Sequence, residues 1–224
     1  MPLTSPPLAA RALSGCAAEP LGGRAIYRLW RQRGTDDTPR PTPWWFASTP
    51  PDDPPAGGRY DLPAPLGTCY TATSPVGAVL EALQAFLIAL PVDELRARRM
   101  AHIVAPARAP TAADLTSPEL AGVGVTAALW AGTDRPLTQR WAAAFRRDGW
   151  WALYGGLQHD PSGRLRGFAL FDHLGAHAPS HAGEWDYTVT ELIGDQVLLD
   201  EMARFGIVAR ERGELPVISP PPEP

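Results

Sequence analysis

Apolar residues recur along the chain in two alternating periods, and the succession of these periods outlines a mixed α and β domain. Residues 25–30 alternate as a first strand, and 66–72 form a second apolar run ending near Tyr70. The clearest helix follows. Ser74 stands at a cap position with Pro75 at the first helical position. Val76, Val79, Leu80, Leu83, Phe86 and Leu87 then fall on one stripe. Residues 91–99 read as a short helix with Asp93 and Glu94 in its first turn, 100–105 as a strand, and 114–121 as a loop or short helix. A second amphipathic helix spans 134–148, with Leu137, Trp141, Ala144 and Phe145 on one face. Strands follow at 150–154 and 167–171, joined through Gly155-Gly156 and the turn Asp160-Pro161-Ser162-Gly163. A strand at 187–193 and a helix at 198–205 close the pattern. The expected fold class is α+β: one domain with a mixed, mostly antiparallel sheet and flanking helices.

The segments outside this pattern set the boundaries. Residues 1–23 are rich in Pro, Ala and Gly with weak periodicity and read as a flexible N-terminal arm. The domain itself is expected over 24–210, and 211–224 form a Pro-rich tail. Residues 31–58 make a long loop, and its Trp44-Trp45-Phe46 triplet predicts that part of it packs down. A chain of 224 residues suffices for one sizeable core. Its 26 prolines fall mostly in the tails and loops, leaving the periodic segments ordinary.

Charge narrows the choice of partner. The net charge is −4 and basic residues form no block, which argues against a nucleic-acid backbone binder. All 20 basic residues are Arg, so every cation can make a forked, bidentate contact with phosphate or carboxylate. Cys16 and Cys69 match no metal spacing, and Cys69 reads as a reduced core thiol. His173, His177 and His181 recur every four residues, but Gly175 and Pro179 break the helix a metal pair would need, so no metal is expected. No run reaches the roughly 18 apolar residues of a membrane span, and the start lacks a secretory pattern. The chain is therefore expected to be cytoplasmic. No nucleophile elbow, phosphate loop or dinucleotide fingerprint follows the first strand, which argues against a dehydrogenase.

Several short motifs then occur in a particular order. They are Tyr27-Arg28, Gly57-Gly58-Arg59-Tyr60-Asp61-Leu62-Pro63, Gly67-Thr68-Cys69-Tyr70-Thr71-Ala72, Ser74-Pro75, Ala78-Val79-Leu80-Glu81, Asp114-Leu115, the helix from Thr133 to Phe145, and Asp160-Pro161-Ser162-Gly163 leading into Phe168-Ala169-Leu170-Phe171-Asp172. In order and spacing, over roughly 25–195, the chain resembles the RES-domain family. That resemblance implies a fold like that of ADP-ribosylating toxins. It also implies a toxin of a toxin–antitoxin pair with an Xre-type antitoxin as partner, and NAD⁺ as substrate with no tightly bound cofactor. It assigns Arg28 and Glu81 to the family arginine and glutamate, Arg59 to the Gly-Gly-Arg motif and Tyr70 to the strand tyrosine. Glu81, Arg28 and Tyr70 become the expected catalytic residues, and Arg28, Arg59, Tyr60, Tyr70 and Gly156 the expected NAD⁺-binding set. A homodimer is left open.

The chemistry fits those residue types. Cleaving the nicotinamide–ribose bond leaves an oxocarbenium-like ribose, which a nearby carboxylate stabilises by charge and by a hydroxyl hydrogen bond. Guanidinium groups suit the pyrophosphate, and a tyrosine face suits the nicotinamide ring. Taken singly, each residue has a plainer reading: a solvated helix glutamate, a strand-end arginine with its head in water, a glycine turn before Arg59, core tyrosines. One departure stands out. The family serine falls on Gly156, or on Leu157 if the gap is placed differently. Three outcomes stay open: NAD⁺ phosphorolysis or hydrolysis, ADP-ribosyl transfer to a protein, and a domain that binds a nucleotide or partner without turnover.

Overall fold

A computed structural model describes residues 2–9, 12–34, 37–50, 52–83, 90–181 and 183–211. Ten strands and five helices are assigned among them: β1 (Ala18–Glu19), β2 (Ala25–Arg31), β3 (Leu66–Ala72), α1 (Pro75–Ala82), β4 (Leu90–Pro91), α2 (Val92–Arg96), β5 (Arg98–Val104), β6 (Ala112–Asp114), α3 (Ala128–Ala131), α4 (Arg135–Arg147), β7 (Ala152–Gly156), β8 (Arg166–His173), β9 (Asp186–Glu191), α5 (Gln196–Arg204) and β10 (Ala209–Arg210). Eight strands form one sheet in the order β1-β6-β7-β8-β3-β2-β5-β9, and β10 pairs with β4 separately. In the large sheet only β6 and β7 run parallel. The expected single, mostly antiparallel α+β domain is what forms.

Pairing is uneven at the centre of this sheet, and the unevenness positions the site. β3 runs in register with β8 over its whole length, from Leu66↔His173 to Ala72↔Gly167. β2 runs in register with β5 from Ala25↔Val104 to Arg31↔Arg98. Between β2 and β3 the register holds one pair, Tyr27↔Ala72. Beyond it the strands splay, and Arg28 fills the gap: its Nη1 donates to Tyr70 O at 2.6 Å. α1 crosses this splay. Ser74 caps it, accepting from Gly77 N at 3.2 Å, and Val76, Val79 and Leu80 seat it on the strands.

Three apolar layers hold the sheet. Trp141 and Phe145 of α4 pack with Leu129, Leu153 and Phe171. α1, α2 and α5 bury Val79, Leu95, Leu198 and Met202. Trp44 and Phe46 pack with Ile26, Phe168 and Trp185, so the loop triplet does fold down, and Cys69 is a buried free thiol beside them.

Boundaries differ from the sequence pattern where long-range pairing decides them. The helix expected over 91–99 stops at Arg96, because Arg98 and Arg99 join β5 opposite Arg31 and Trp30. Gly155 and Gly156 lie inside β7 rather than after it, paired with Gly167 and Arg166. Phe86 and Leu87, expected on the stripe of α1, fall outside the described residues, as do 212–224 of the Pro-rich tail.

Residues 1–23, expected as a flexible arm, are attached along their described length. Trp141 Nε1 donates to Thr4 O at 2.8 Å, Trp150 Nε1 donates to Leu13 O at 2.8 Å, and Leu13 N donates to Asp148 Oδ2 at 2.9 Å. Leu13 is fully buried, and β1 adds an edge strand beside β6. A Leu13→Ala variant is accordingly expected to lose about 2 kcal/mol, the low end for a buried leucine because the segment lies at the edge of the core. Urea denaturation with an unchanged slope checks this.

Candidate functional site

The splay between β2 and β3 opens into a cavity of about 340 Å³ whose lining includes Tyr27, Arg28, Arg59, Tyr70, Thr71, Glu81, Arg135 and Gln158. That is near the lower end for small-molecule sites. Arg28 comes from β2, Tyr70 from β3 and Glu81 from the last turn of α1. Arg59 follows the short 3₁₀ turn Pro54–Ala56 and Gly57-Gly58. Four residues singled out by sequence thus meet in one place.

The loop carrying Arg59 is held by a compact polar knot. Tyr70 Oη donates to Asp61 Oδ1 at 2.8 Å and accepts from Tyr60 N at 2.8 Å, while Gly58 N donates to Asp61 Oδ2 at 2.7 Å. A Cβ on Gly58 would sit 2.5 Å from Tyr70 Oη and 2.7 Å from Asp61 Oδ1, so the knot closes only around a glycine. Gln139 of α4 adds two bonds from Nε2, to Pro54 O and Gly58 O, each at 3.0 Å. Burial pushes the Asp61 carboxyl up, and the Tyr70 and Gly58 donors pull it back down. Burial and the neighbouring Asp61 hold Tyr70 well above the usual phenol range, so it stays a neutral donor.

Arginine dominates the electrostatics. Arg59 is 6% exposed. Its guanidinium donates to Gly132 O at 2.6 Å and to Gln158 Oε1. Burial lowers its pKa, and Glu81 is among the groups that raise it. Arg28 lines the cavity, and its Nε is buried without a hydrogen-bond partner among the described residues. Burial raises Glu81 above the ordinary glutamate range, with Arg59 and Arg135 opposing the rise. His159 next to Gln158 is lowered, first by burial and then by Arg135 and Arg59.

Two expected binding residues sit elsewhere. Tyr60 and Gly156 line an adjoining recess of about 20 Å³, room for about one water, which shares Tyr70, Thr71 and Glu81 with the cavity. Tyr60 packs as a core residue: its hydroxyl donates to Leu129 O at 3.1 Å and its ring stacks on Tyr70. At Gly156 a Cβ would lie 2.7 Å from Trp130 Cδ1, so the indole covers the position where the family serine was expected. Neither residue lines the larger cavity. Leu157, the other placement of that serine, is buried among the residues packed on α1.

Sequence reasoning missed Arg135, the first residue of α4, as a cavity residue. The signal was weak, because an arginine after an Asp cap reads as a solvated helix start. The histidines of 173–181 have separate partners. His177 stacks on Phe46 and its ring contacts His173 O, while His181 lies against Trp151. Among the described residues no group of three His, Cys, Asp or Glu could hold a metal.

The RES domain matches residues 26–199, which span every cavity residue named above. The chain belongs to the RES-domain family. Its fold is similar to that of a chain in the crystal structure of the M. tuberculosis MbcT-MbcA toxin–antitoxin complex. The TM-score is 0.54 at 17% identity, covering 84% of this chain and 91% of that one. No curated protein matches the chain. Within the matched range the cavity brings together Arg28, Glu81 and Tyr70. No helix among the described residues is long and apolar enough to cross a membrane.

Proposed function

We propose that this RES-domain protein is an enzyme of the toxin class that binds NAD⁺ and cleaves its nicotinamide–ribose bond, by phosphorolysis or hydrolysis. The observation that carries this reading is the convergence of Arg28, Arg59, Tyr70 and Glu81, distant in sequence, on one cavity. A guanidinium can bind two phosphate oxygens of the pyrophosphate at once, and Arg28 and Arg59 both line the cavity. Glu81 accepts a hydrogen bond from a ribose hydroxyl and offsets the positive charge that develops as neutral nicotinamide leaves. Tyr70, held through its hydroxyl by Asp61, offers a ring that cannot swing away. NAD⁺ is the substrate, and no resident cofactor is required.

A small antitoxin is the expected partner, in keeping with the toxin–antitoxin complex whose fold this chain resembles. Transfer of ADP-ribose to a protein uses the same first step with a different acceptor. A binding-only domain is the second reading, and a specific observation favours it: the family serine is expected at Gly156 or Leu157, neither of which is a serine, and Trp130 covers position 156.

Incubation with NAD⁺, with and without phosphate, separates these readings. Release of nicotinamide supports cleavage, and dependence on phosphate identifies the acceptor. A mass increase on a second protein identifies transfer. Calorimetric binding of NAD⁺ with no product in either buffer rejects cleavage in favour of the binding reading.

A further inference from the structure

Cavity residues outside the motif set carry an arrangement of their own. Gln158 Oε1 accepts from Arg59 Nη2 and, at a long 3.4 Å, from Arg135 Nη2. One neutral amide oxygen thus sits between two guanidiniums. Among the described residues neither arginine forms an ion pair. Arg59 is nonetheless almost fully enclosed, and its other acceptor, Gly132 O, is also neutral. An enclosed cation without an ion-pair partner is costly, and Glu81 acts on Arg59 only through space. Here the lining holds three guanidiniums, from Arg28, Arg59 and Arg135, against the single carboxylate of Glu81. Arg28 is turned to the backbone of β3 and the loop before it, through Tyr70 O and, at 3.5 Å, Trp45 O. The pair that one side-chain oxygen already joins is Arg59 and Arg135.

We propose that Arg59 and Arg135, bridged by the neutral amide oxygen of Gln158, form a phosphate-binding subsite, and that Gln158 is the positioning residue that holds them together without neutralising them. The subsite rests on the reading of this cavity as a dinucleotide site and adds two residues to it. The excess of two positive charges in the cavity, three against one, matches the two negative charges of a dinucleotide pyrophosphate. A forked guanidinium on each side of that group can bind two phosphate oxygens at once. Gln158 is the sensitive element. A glutamate has the same shape and would hold the arginines more strongly, but it would consume the charge meant for the ligand.

The test uses the full chain with inorganic pyrophosphate as probe, in calorimetric titrations at two salt concentrations, together with steady-state kinetics on NAD⁺. Arg135→Ala is expected to weaken pyrophosphate binding roughly ten- to a hundredfold. It should raise KM for NAD⁺ by a similar factor with kcat nearly unchanged, as for a group that binds ground and transition states alike. Arg135→Lys should recover part of the loss. Gln158→Glu should weaken binding as much as Arg135→Ala while its melting temperature stays equal or rises. A merely structural role would predict normal binding in that variant. Wild-type pyrophosphate affinity in both Arg135→Ala and Gln158→Glu overturns the subsite. The two readings fail separately. Pyrophosphate binding with this mutational pattern but no nicotinamide release leaves the subsite standing and removes the cleavage reading. Nicotinamide release with unchanged KM in Arg135→Ala does the reverse.

Discussion

Glu81→Gln is expected to lower nicotinamide release from NAD⁺ by about 10²–10³-fold, the usual cost of removing one well-placed electrostatic stabiliser. The substitution keeps size and one acceptor oxygen, turns the other into an amide donor, and removes the charge. Because burial raises the Glu81 pKa, the pH profile gives a second check. The ionised form is the one that stabilises the ribosyl cation. So kcat/KM should rise with pH through a midpoint above the ordinary glutamate range, and the Gln variant should lack that limb. Stability should move the other way. A carboxyl with a folded pKa above its unfolded value contributes stability at low pH, below the unfolded pKa, and loses it as pH rises through the folded one. At neutral pH the ionised Glu81 therefore destabilises the fold, and Glu81→Gln should melt at the same or a higher temperature. Wild-type turnover in this variant would remove Glu81 from the mechanism.

How far this site could be read from sequence depended on whether a residue's partners were local. The Ser74-Pro75 start and the Val76, Val79, Leu80 spacing set α1 by rules confined to a single helix, and the helix carries Glu81 with it. β3 was likewise legible as an apolar run, and Tyr70 came with it. Arg98 was misplaced because its strand character comes from Arg31, far off in the chain. β6 is Ala-Ala-Asp, too short for a period, and exists through its pairing with β1 and β7. Leu13 sat in a Pro- and Ala-rich stretch with nothing to mark it as an anchor for Trp150.

The same distinction holds within the cavity. The family resemblance brought Arg28, Arg59, Tyr70 and Glu81 forward as a set, and the fold places all four on one wall-to-wall space. It also carried Tyr60 and Gly156, which the fold sets in the neighbouring recess because Leu129 and Trp130 close over them. Arg135 and Gln158 enter for the opposite reason. Each looks like a surface residue until the N-terminal end of α4 and the turn after β7 are brought against Arg59.

Asp61→Ala is expected to lose roughly 4 kcal/mol of stability and most of the NAD⁺ activity together, a coupling that Glu81→Gln should not show. Asp61 is 3% exposed and accepts from both Tyr70 Oη and Gly58 N. Removing its carboxylate strands two donors in a place water does not readily reach, at about 1–3 kcal/mol each. It also leaves a small void. The effect on activity follows from where those donors lie. Tyr70 is the strand tyrosine of the cavity, and Gly58 directly precedes Arg59, so the aromatic wall and the buried cation lose their anchor at once. Asp61→Asn keeps the shape and one acceptor oxygen but turns an amide N–H toward the other donor, and should fall between the two. Asp52→Ala, on the exposed part of the same loop, should change stability by no more than about 0.5 kcal/mol. Denaturant titration and nicotinamide release on these three variants decide the matter. A stable but inactive Asp61→Ala would mean that the carboxylate acts on the ligand directly. An active one would mean that the knot is dispensable, and that the glycines at 57 and 58 serve something other than the placement of Arg59.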